Sequence, residues 1–296
     1  MQNTSRCSAI FEQSRGRLLG LAYRMLGSKA DAEDMVQEAY LRWHQANTEA
    51  VQTPEAWLMT TVTRLCLDRL RVARVEREAY IGPWLPEPLL TGDAAPPDHR
   101  AELASDLSIA FLVLLERLAP AERAAFLLHD VFECEYVELA QILGKSEGAC
   151  RQLVHRARGR VRHARPRFVV SETARIALLN QFVAAVHARD QDALLGLFAA
   201  DATWTSDGGQ VRAACQVVRG AERLTRFVLG VAHRSQGQVT YELAPINGET
   251  RLILRRDGRL SSILAIDPDG SRILAVYNVR NPQKLRGMAL TEPHAP

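Results

Sequence analysis

Between Lys145 and Arg167 the chain carries Lys145, Arg151, Arg156, Arg158, Arg160, Arg162, Arg165 and Arg167 against one acid, Glu147. Such an excess of positive charge in so short a run suits phosphate oxygens. At about 100° per residue, Cys150, Leu153, Val154, Ala157 and Val161 share one helical face. Arg151, His155, Arg158 and Arg162 form a stripe along another, flanked by Gln152 and Arg156. Arginine can read guanine bidentately, glutamine can read adenine, and the remaining cations can grip phosphate. The plain alternative is a solvated basic helix end. The residues just upstream favour DNA. Tyr136–Arg162 has the pattern of a helix-turn-helix, with small Ala140 where two helices cross, Gly144 at the turn and Ser146 placed to cap the second helix. Lys145 departs from the pattern, which usually has an apolar residue after the turn glycine.

Groups suited to acid–base chemistry are sparser. Asp201, Asp207, His187 and His233 could serve a proton abstraction in a C-terminal pocket. They show no catalytic pairing, because Asp207 lies in a Gly-rich turn and Asp201 reads as a helix-end residue. No catalytic residue, metal or cofactor is expected. The five cysteines (Cys7, Cys66, Cys134, Cys150 and Cys215) are odd in number and form no C-x-x-C pair. That argues against a disulfide framework or zinc site and for a reducing cytoplasm. No apolar run approaches the roughly 18 residues needed to cross a bilayer, and the first residues lack the apolar stretch of a signal peptide. The net charge of +3 over 296 residues points to no partner by itself.

These groups need elements to hold them. From about Phe11 to Glu78 the apolar spacing is helical, as in Leu18, Leu21, Ala22 and Met25, then Met35, Val36, Ala39, Tyr40 and Trp43. Gly27-Ser28 breaks the first helix, and Thr53-Pro54 starts a later one with Thr53 as cap. Five prolines between Ile81 and Asp98 exclude a continuous helix and mark a linker. Helical periodicity resumes from Glu102 to about Arg167. Beyond Ser171, helices at Thr173–Ala188 and Asp192–Ala199 give way to strand-like runs at 202–206, 211–218, 239–244, 251–256, 262–266 and 273–279. Asp207-Gly208-Gly209, Asn247-Gly248, Asp257-Gly258 and Asp269-Gly270 mark turns. Helices against a curved antiparallel sheet make an α+β domain.

Asp31-Ala32-Glu33-Asp34-Met35-Val36-Gln37-Glu38-Ala39-Tyr40-Leu41-Arg42-Trp43 resembles the most recognisable segment of the extracytoplasmic-function sigma factors of the sigma-70 superfamily. The resemblance implies a region 2 that docks on RNA polymerase through Asp34, Gln37 and Glu38. The segment Trp57–Arg71 resembles the part of region 2 that melts and reads the minus-ten element, for which Arg64, Arg69, Arg71 and Arg74 would grip a single strand. Many relatives have Arg-Asn where this chain has Thr63-Arg64. The helix-turn-helix is similar to region 4, which reads the minus-thirty-five element through Arg151, Gln152, His155, Arg156 and Arg158. Trp84-Leu85-Pro86-Glu87-Pro88, Asp207-Gly208-Gly209 and Asn281-Pro282-Gln283-Lys284-Leu285 resemble motifs of a subgroup with a C-terminal SnoaL-like, NTF2-like cone. There the extension is thought to modulate the factor, so Trp84, Pro86, Glu87, Pro88, Asp207, Gly208, Gly209, Asn281, Pro282, Lys284 and Leu285 are candidate interdomain contacts. Gln210 and Gln283 depart from the subgroup's pattern.

The expected organisation is two all-α sigma modules, 1–80 and 102–168, joined by a proline-rich linker at 81–101 and followed by an α+β NTF2-like cone at 171–296. The expected function is a non-enzymatic promoter-specificity subunit that binds core polymerase and promoter DNA. It would be monomeric when free, with a small-molecule ligand as an optional occupant of the cone. A one-component helix-turn-helix regulator with a ligand-sensing C-terminal domain is the alternative. It would have no reason to carry the Asp31–Trp43 helix or the Trp57–Arg71 segment. An isomerase- or cyclase-like enzyme fused to a DNA-binding module is a third reading.

Overall fold

The structure, a computed structural model, describes residues 2–46, 50–90, 107–164, 170–235 and 238–288. They divide into two compact units: Met1–Ala79 with Leu112–Arg165, and Tyr80–Phe111 with Pro166–Pro296. Much of the 81–101 linker lies outside the described residues, but Ile81–Leu90 is described and belongs to the second unit.

In the first unit, α1 (Gln2–Leu26), α2 (Lys29–Gln45) and α3 (Pro54–Glu78) form a bundle. Gly27, in the left-handed region at φ 66°, ends α1, and the Ser28 side chain caps α2 by accepting from the Asp31 amide. Leu18, Leu21, Ala22 and Met25 are fully buried, as are Ala32, Ala39 and Trp43 of α2. The Trp43 indole Nε1 donates to the Cys7 carbonyl at 3.1 Å, which satisfies the one polar atom of a buried ring. Met35 and Tyr40, expected inside, are half-buried. Pro54 opens α3 as expected, but the Thr53 hydroxyl makes no capping hydrogen bond.

Four more helical segments follow: α4 (Ile109–Glu116), which enters this unit at Leu112, α5 (Pro120–Phe126), α6 (Tyr136–Leu143) and α7 (Glu147–Ala164). A π-helical turn, Leu127–Val131, follows α5. Gly144 ends α6 at φ 63°, the left-handed geometry expected of the turn, and Ser146 Oγ accepts from the Ala149 amide at the start of α7. Leu139 and Ile142 of α6 meet Cys150, Leu153, Val154, Ala157 and Val161 of α7 as buried residues. The expected apolar face of α7 is therefore the observed one.

The two helical modules pack on each other. Glu116 accepts from Arg123 Nη1 at 2.7 Å and also bridges to Arg77. Arg123 Nη1 reaches the Met25 carbonyl at 2.5 Å, and Arg77 Nη2 the Leu26 carbonyl at 2.8 Å. Two guanidinium groups thus share one carboxylate at the C-terminal end of α1, where helix carbonyls lack intrahelical donors.

In the second unit, α8 (Glu172–Ala188), α9 (Gln191–Leu197) and α10 (Ala221–Arg234) lie against a six-stranded sheet of order β2-β1-β6-β5-β4-β3. Its strands are β1 (Phe198–Asp207), β2 (Val218–Arg219), β3 (Val239–Ile246), β4 (Glu249–Arg256), β5 (Arg259–Pro268) and β6 (Ile273–Val279). The short α11 (Pro282–Leu285) follows β6. Asn247-Gly248 and Asp257-Gly258 form two-residue hairpin loops in which all four residues have positive φ, the geometry that matches strand twist. Apolar side chains of both layers, among them Leu178, Phe182, Trp204, Leu224 and Val276, form the core. Each contributes about 1.5–3 kcal/mol on burial. Arg175 of α8 fastens helix to sheet through Glu249 Oε1 at 2.8 Å and the Ile266 carbonyl at 2.9 Å. Nearby Asp267 is the surplus carboxylate of this charged group, and burial pushes its pKa up to about 6.

The α+β class is as expected, with three differences. The sheet is mixed, because β1 runs parallel to β6. Residues 211–218 are not a strand. The chain folds back after Gly208, with the Val211 amide donating to the Gly208 carbonyl at 2.9 Å, and pairing resumes only at Val218. Helix α10 stands in a stretch where none was expected.

Candidate nucleic-acid interface and connector site

Helix α7 sorts its basic residues into two sets. Glu122 of α5, only 5% exposed, accepts from Arg156 Nε at 2.9 Å and Arg160 Nη1 at 2.8 Å. Asp130 in the π-helical turn takes Arg158 as a fork, Nε at 2.9 Å and Nη2 at 2.6 Å. The Arg158 guanidinium is accordingly held above its ordinary pKa, chiefly by that hydrogen-bonded carboxylate. These three arginines fix α7 to the rest of its module. Arg151, Gln152 and His155 stand exposed in the N-terminal half of α7, the part of a recognition helix that meets base edges. Among the described residues Arg151 is held by exposed Glu147, an i,i+4 pair, and by the Tyr136 ring at 5.1 Å. Both are weak restraints that a nucleic acid can displace.

Replacing Arg158 with alanine is therefore expected to lower the unfolding free energy by about 1–2 kcal/mol with little change in sequence preference. Arg151→Ala should leave the melt unchanged and cost about 1–3 kcal/mol in binding a preferred duplex. Urea unfolding beside fluorescence anisotropy on specific and random duplexes reads both.

Helix α3 divides similarly. Arg64, expected at a melted strand, caps the C-terminus of α6, with Nε 3.2 Å from the Ile142 carbonyl and Nη2 3.1 Å from that of Gln141. Arg69 is tied to Asp31 at 3.0 Å and Glu76 at 2.8 Å. Among the described residues Arg71 and Arg74 pair with the exposed Asp68 and Glu78 of their own helix. Beside them Val72 and Val75 are 56% and 67% exposed, large apolar side chains among arginines. These two valines stand outside the expected strand-gripping set, although apolar residues interleaved with arginine are the available sequence signal for unstacked bases. Thr63 is buried and donates to the Met59 carbonyl, so it faces no partner.

On α2, Asp34 and Gln37 are exposed, and Glu38 is half-buried and paired with Arg42 at 2.9 Å. Leu41, 47% exposed, shares their face one turn on. A groove between α1 and α2 runs past Asp34 and Gln37 to Tyr40.

In the second unit the three remaining motifs meet at one carboxylate. Asp207, at the end of β1, is fully buried. It accepts from the Leu85 amide at 2.8 Å, Lys284 Nζ at 2.6 Å and the Tyr80 hydroxyl at 2.5 Å. Lys284 also donates to the Leu85 carbonyl and lies 3.9 Å from the Trp84 ring centroid, a cation–π contact. Asn281 donates to Tyr80 Oη at 2.8 Å, and Leu285 is buried. The Tyr80 phenol is held above its ordinary pKa by burial and then by Asp207. The two glycines are sterically required. A β-carbon on Gly208 would lie 2.4 Å from the Val211 carbonyl oxygen, and one on Gly209, at φ 55°, would lie 2.6 Å from the Asn281 side chain. Pro86 and Pro88 are buried, and the strap continues to Leu89, whose amide and carbonyl both bond Asn247. Glu87 is half-buried, and Pro282 starts α11.

Residues 10–75 match the family model for sigma-70 region 2, and residues 108–161 that for sigma-70 region 4. The chain is 40% identical to the ECF RNA polymerase sigma factor SigJ of Mycobacterium tuberculosis, over 96% of this chain and 95% of that one. This chain is an extracytoplasmic-function sigma factor. The probable sigma factor SigI of the same organism is 31% identical to it over 94% of each chain. The crystal structure of Mycobacterium tuberculosis SigJ matches this sigma factor with a TM-score of 0.76 at 37% identity, covering 96% of this chain and 100% of that one. The match takes in the helical modules and the C-terminal sheet domain alike. No helix among the described residues of this sigma factor is long and apolar enough to cross a membrane.

Proposed function

We propose that this sigma factor brings core RNA polymerase to a two-element promoter, with 1–80 as the polymerase and minus-ten module and 102–168 as the minus-thirty-five module. Asp34, Gln37 and Glu38, with Leu41, meet polymerase. Arg71, Arg74, Val72 and Val75 hold the opened strand, and Arg151, Gln152 and His155 read the distal box. The observation that carries this reading is the division of α7 into tied and exposed cations, which leaves a base-reading front on a braced helix. No bond-making chemistry is assigned to any part of the chain.

The two boxes named for positions ten and thirty-five lie about 25 base pairs apart, about 85 Å at ~3.4 Å per pair. A compact unit of roughly 130 residues has a diameter of about 35–40 Å. The packed helical unit is thus a stored form that separates at the promoter, freeing Arg64 as it does so. The second unit, 171–296 with the strap 80–90, modulates this step, because it grips the chain that connects the two modules.

The test is transcription reconstituted with core polymerase on a genomic fragment library. Full-length protein is run beside a truncation ending at Arg167. Specific starts that depend on the added protein, and a rate that differs between the two forms, are expected. A library without such starts defeats the polymerase reading, and equal rates defeat the modulation.

A further inference from the structure

The second unit contains a cavity of about 530 Å³ between α10 and the concave face of the sheet. Phe182, Trp204, Phe227 and Leu264 form an apolar wall, and Arg212, Arg234, Arg255, Arg256 and Arg280 stand around the rest. None of the described residues lining it is an aspartate or glutamate. Asp201, Asp207, His187 and His233 lie outside the lining, so the cavity has no carboxylate or imidazole base for proton abstraction.

The arginines are under-compensated. Arg255 leaves β4 on the face opposite Leu254 and pairs there with Glu242 at 3.4 Å. On the cavity side Arg256 spends Nη2 on Ser235 Oγ at 3.1 Å, and its Nε is buried with no hydrogen-bond partner among the described residues. Arg280 spends one donor on the Arg212 carbonyl. Its guanidinium is held below its ordinary pKa by burial and by the neighbouring Arg256. Neither Arg256 nor Arg280 has a carboxylate partner among the described residues, and a partly buried cation without a counter-charge is costly.

We propose that this cavity binds a small organic anion, with a carboxylate, sulfonate or phosphate head on Arg256 and Arg280 and an aromatic or aliphatic body along Phe182, Trp204 and Phe227. The site is separate from the clamp at Asp207 and stands or falls independently of promoter recognition. The arginines fix the sign of the ligand's charge, and the wall sets its amphipathic character.

The full-length chain is titrated with 8-anilinonaphthalene-1-sulfonate and, in parallel, with N-phenyl-1-naphthylamine, which has the same rings without the sulfonate. Saturable sulfonate binding, at least tenfold tighter than that of the neutral probe, is expected. Decanoate and decyl phosphate should displace the sulfonate while decanol does not, and the stronger competitor identifies the preferred head. The double variant Arg256→Gln/Arg280→Gln should lose at least tenfold in sulfonate affinity and keep its affinity for the neutral probe. Ala232→Trp, which fills the cavity from α10, should abolish binding with both arginines retained. Equal affinity for the two probes, sulfonate binding that survives the tryptophan plug, or no saturable binding by the sulfonate or decanoate overturns the proposal.

Discussion

Asp207→Ala is expected to destabilise the second unit by about 3–5 kcal/mol, the range for deleting one member of a buried ion pair. Three donors converge on this carboxylate, and with alanine all three lose it inside the protein. Lys284 keeps the Leu85 carbonyl and the Trp84 face, so the ammonium is left with weaker company. The Leu85 amide has no such substitute, and a buried unsatisfied donor costs a further ~1–3 kcal/mol. The strap should come away before the sheet melts, because the turn and α11 that hold it are peripheral to the apolar core. Hydrogen exchange at Leu85 and Leu89 should therefore accelerate by orders of magnitude while β5 and β6 stay protected. Unchanged exchange at Leu85 would show that the clamp holds without its carboxylate. In transcription, the same variant should behave like the truncation at Arg167, since both release the connector.

Glu116→Ala should have a comparable effect on the first unit, again about 3–5 kcal/mol, by a different route. Glu116 is the only carboxylate between Arg77 and Arg123 in the described contacts. The pKa of Arg77 is already lowered by burial, with Arg123 adding repulsion that Glu116 offsets. Without the carboxylate, two guanidinium groups face each other across the seam between the modules. The expected result is a larger radius of gyration in solution scattering and two separable unfolding transitions in place of one. The guanidinium of Arg64 would be uncovered as well, so binding of single-stranded DNA should strengthen. A variant that stays compact and unfolds in one step would show that apolar packing alone closes the seam. Glu116→Gln, which keeps the shape and loses the charge, separates the electrostatic part from the packing part.

Legibility in the sequence followed the range of the interactions. The helix-turn-helix was readable because Gly144, Ser146 and the apolar face of α7 act within one or two turns. The hairpins were readable because Asn247-Gly248 and Asp257-Gly258 need positive φ, which few other pairs adopt. The parallel pairing of β1 with β6 was not readable, since strand alternation says nothing about a partner some 70 residues away. Helix α10 carries a readable signal, since Leu224, Phe227, Val228, Val231 and Ala232 recur at helical spacing, so nothing physical in the sequence hid it. Helical phase placed Arg158 on the outward stripe correctly, but it could not show that the π-helical turn brings Asp130 to meet it. Arg64 met the same limit, since its carbonyl partners sit 77 and 78 positions along the chain. The proposed anion cavity left no trace in the sequence, because the arginines around it come from β4, the residue after β6, the end of α10 and the loop after Gly209.

The clamp also imposes an order on biogenesis. Tyr80 and Leu85 leave the ribosome about 200 residues ahead of Asn281 and Lys284, the groups that will hold them. At roughly 5–20 residues per second the delay is about 10–40 s, far longer than small helical modules need to fold. Every newly made molecule therefore passes through an interval in which both helical modules are complete and the strap between them is still unclaimed. A stalled or prematurely terminated translation product would remain in that condition.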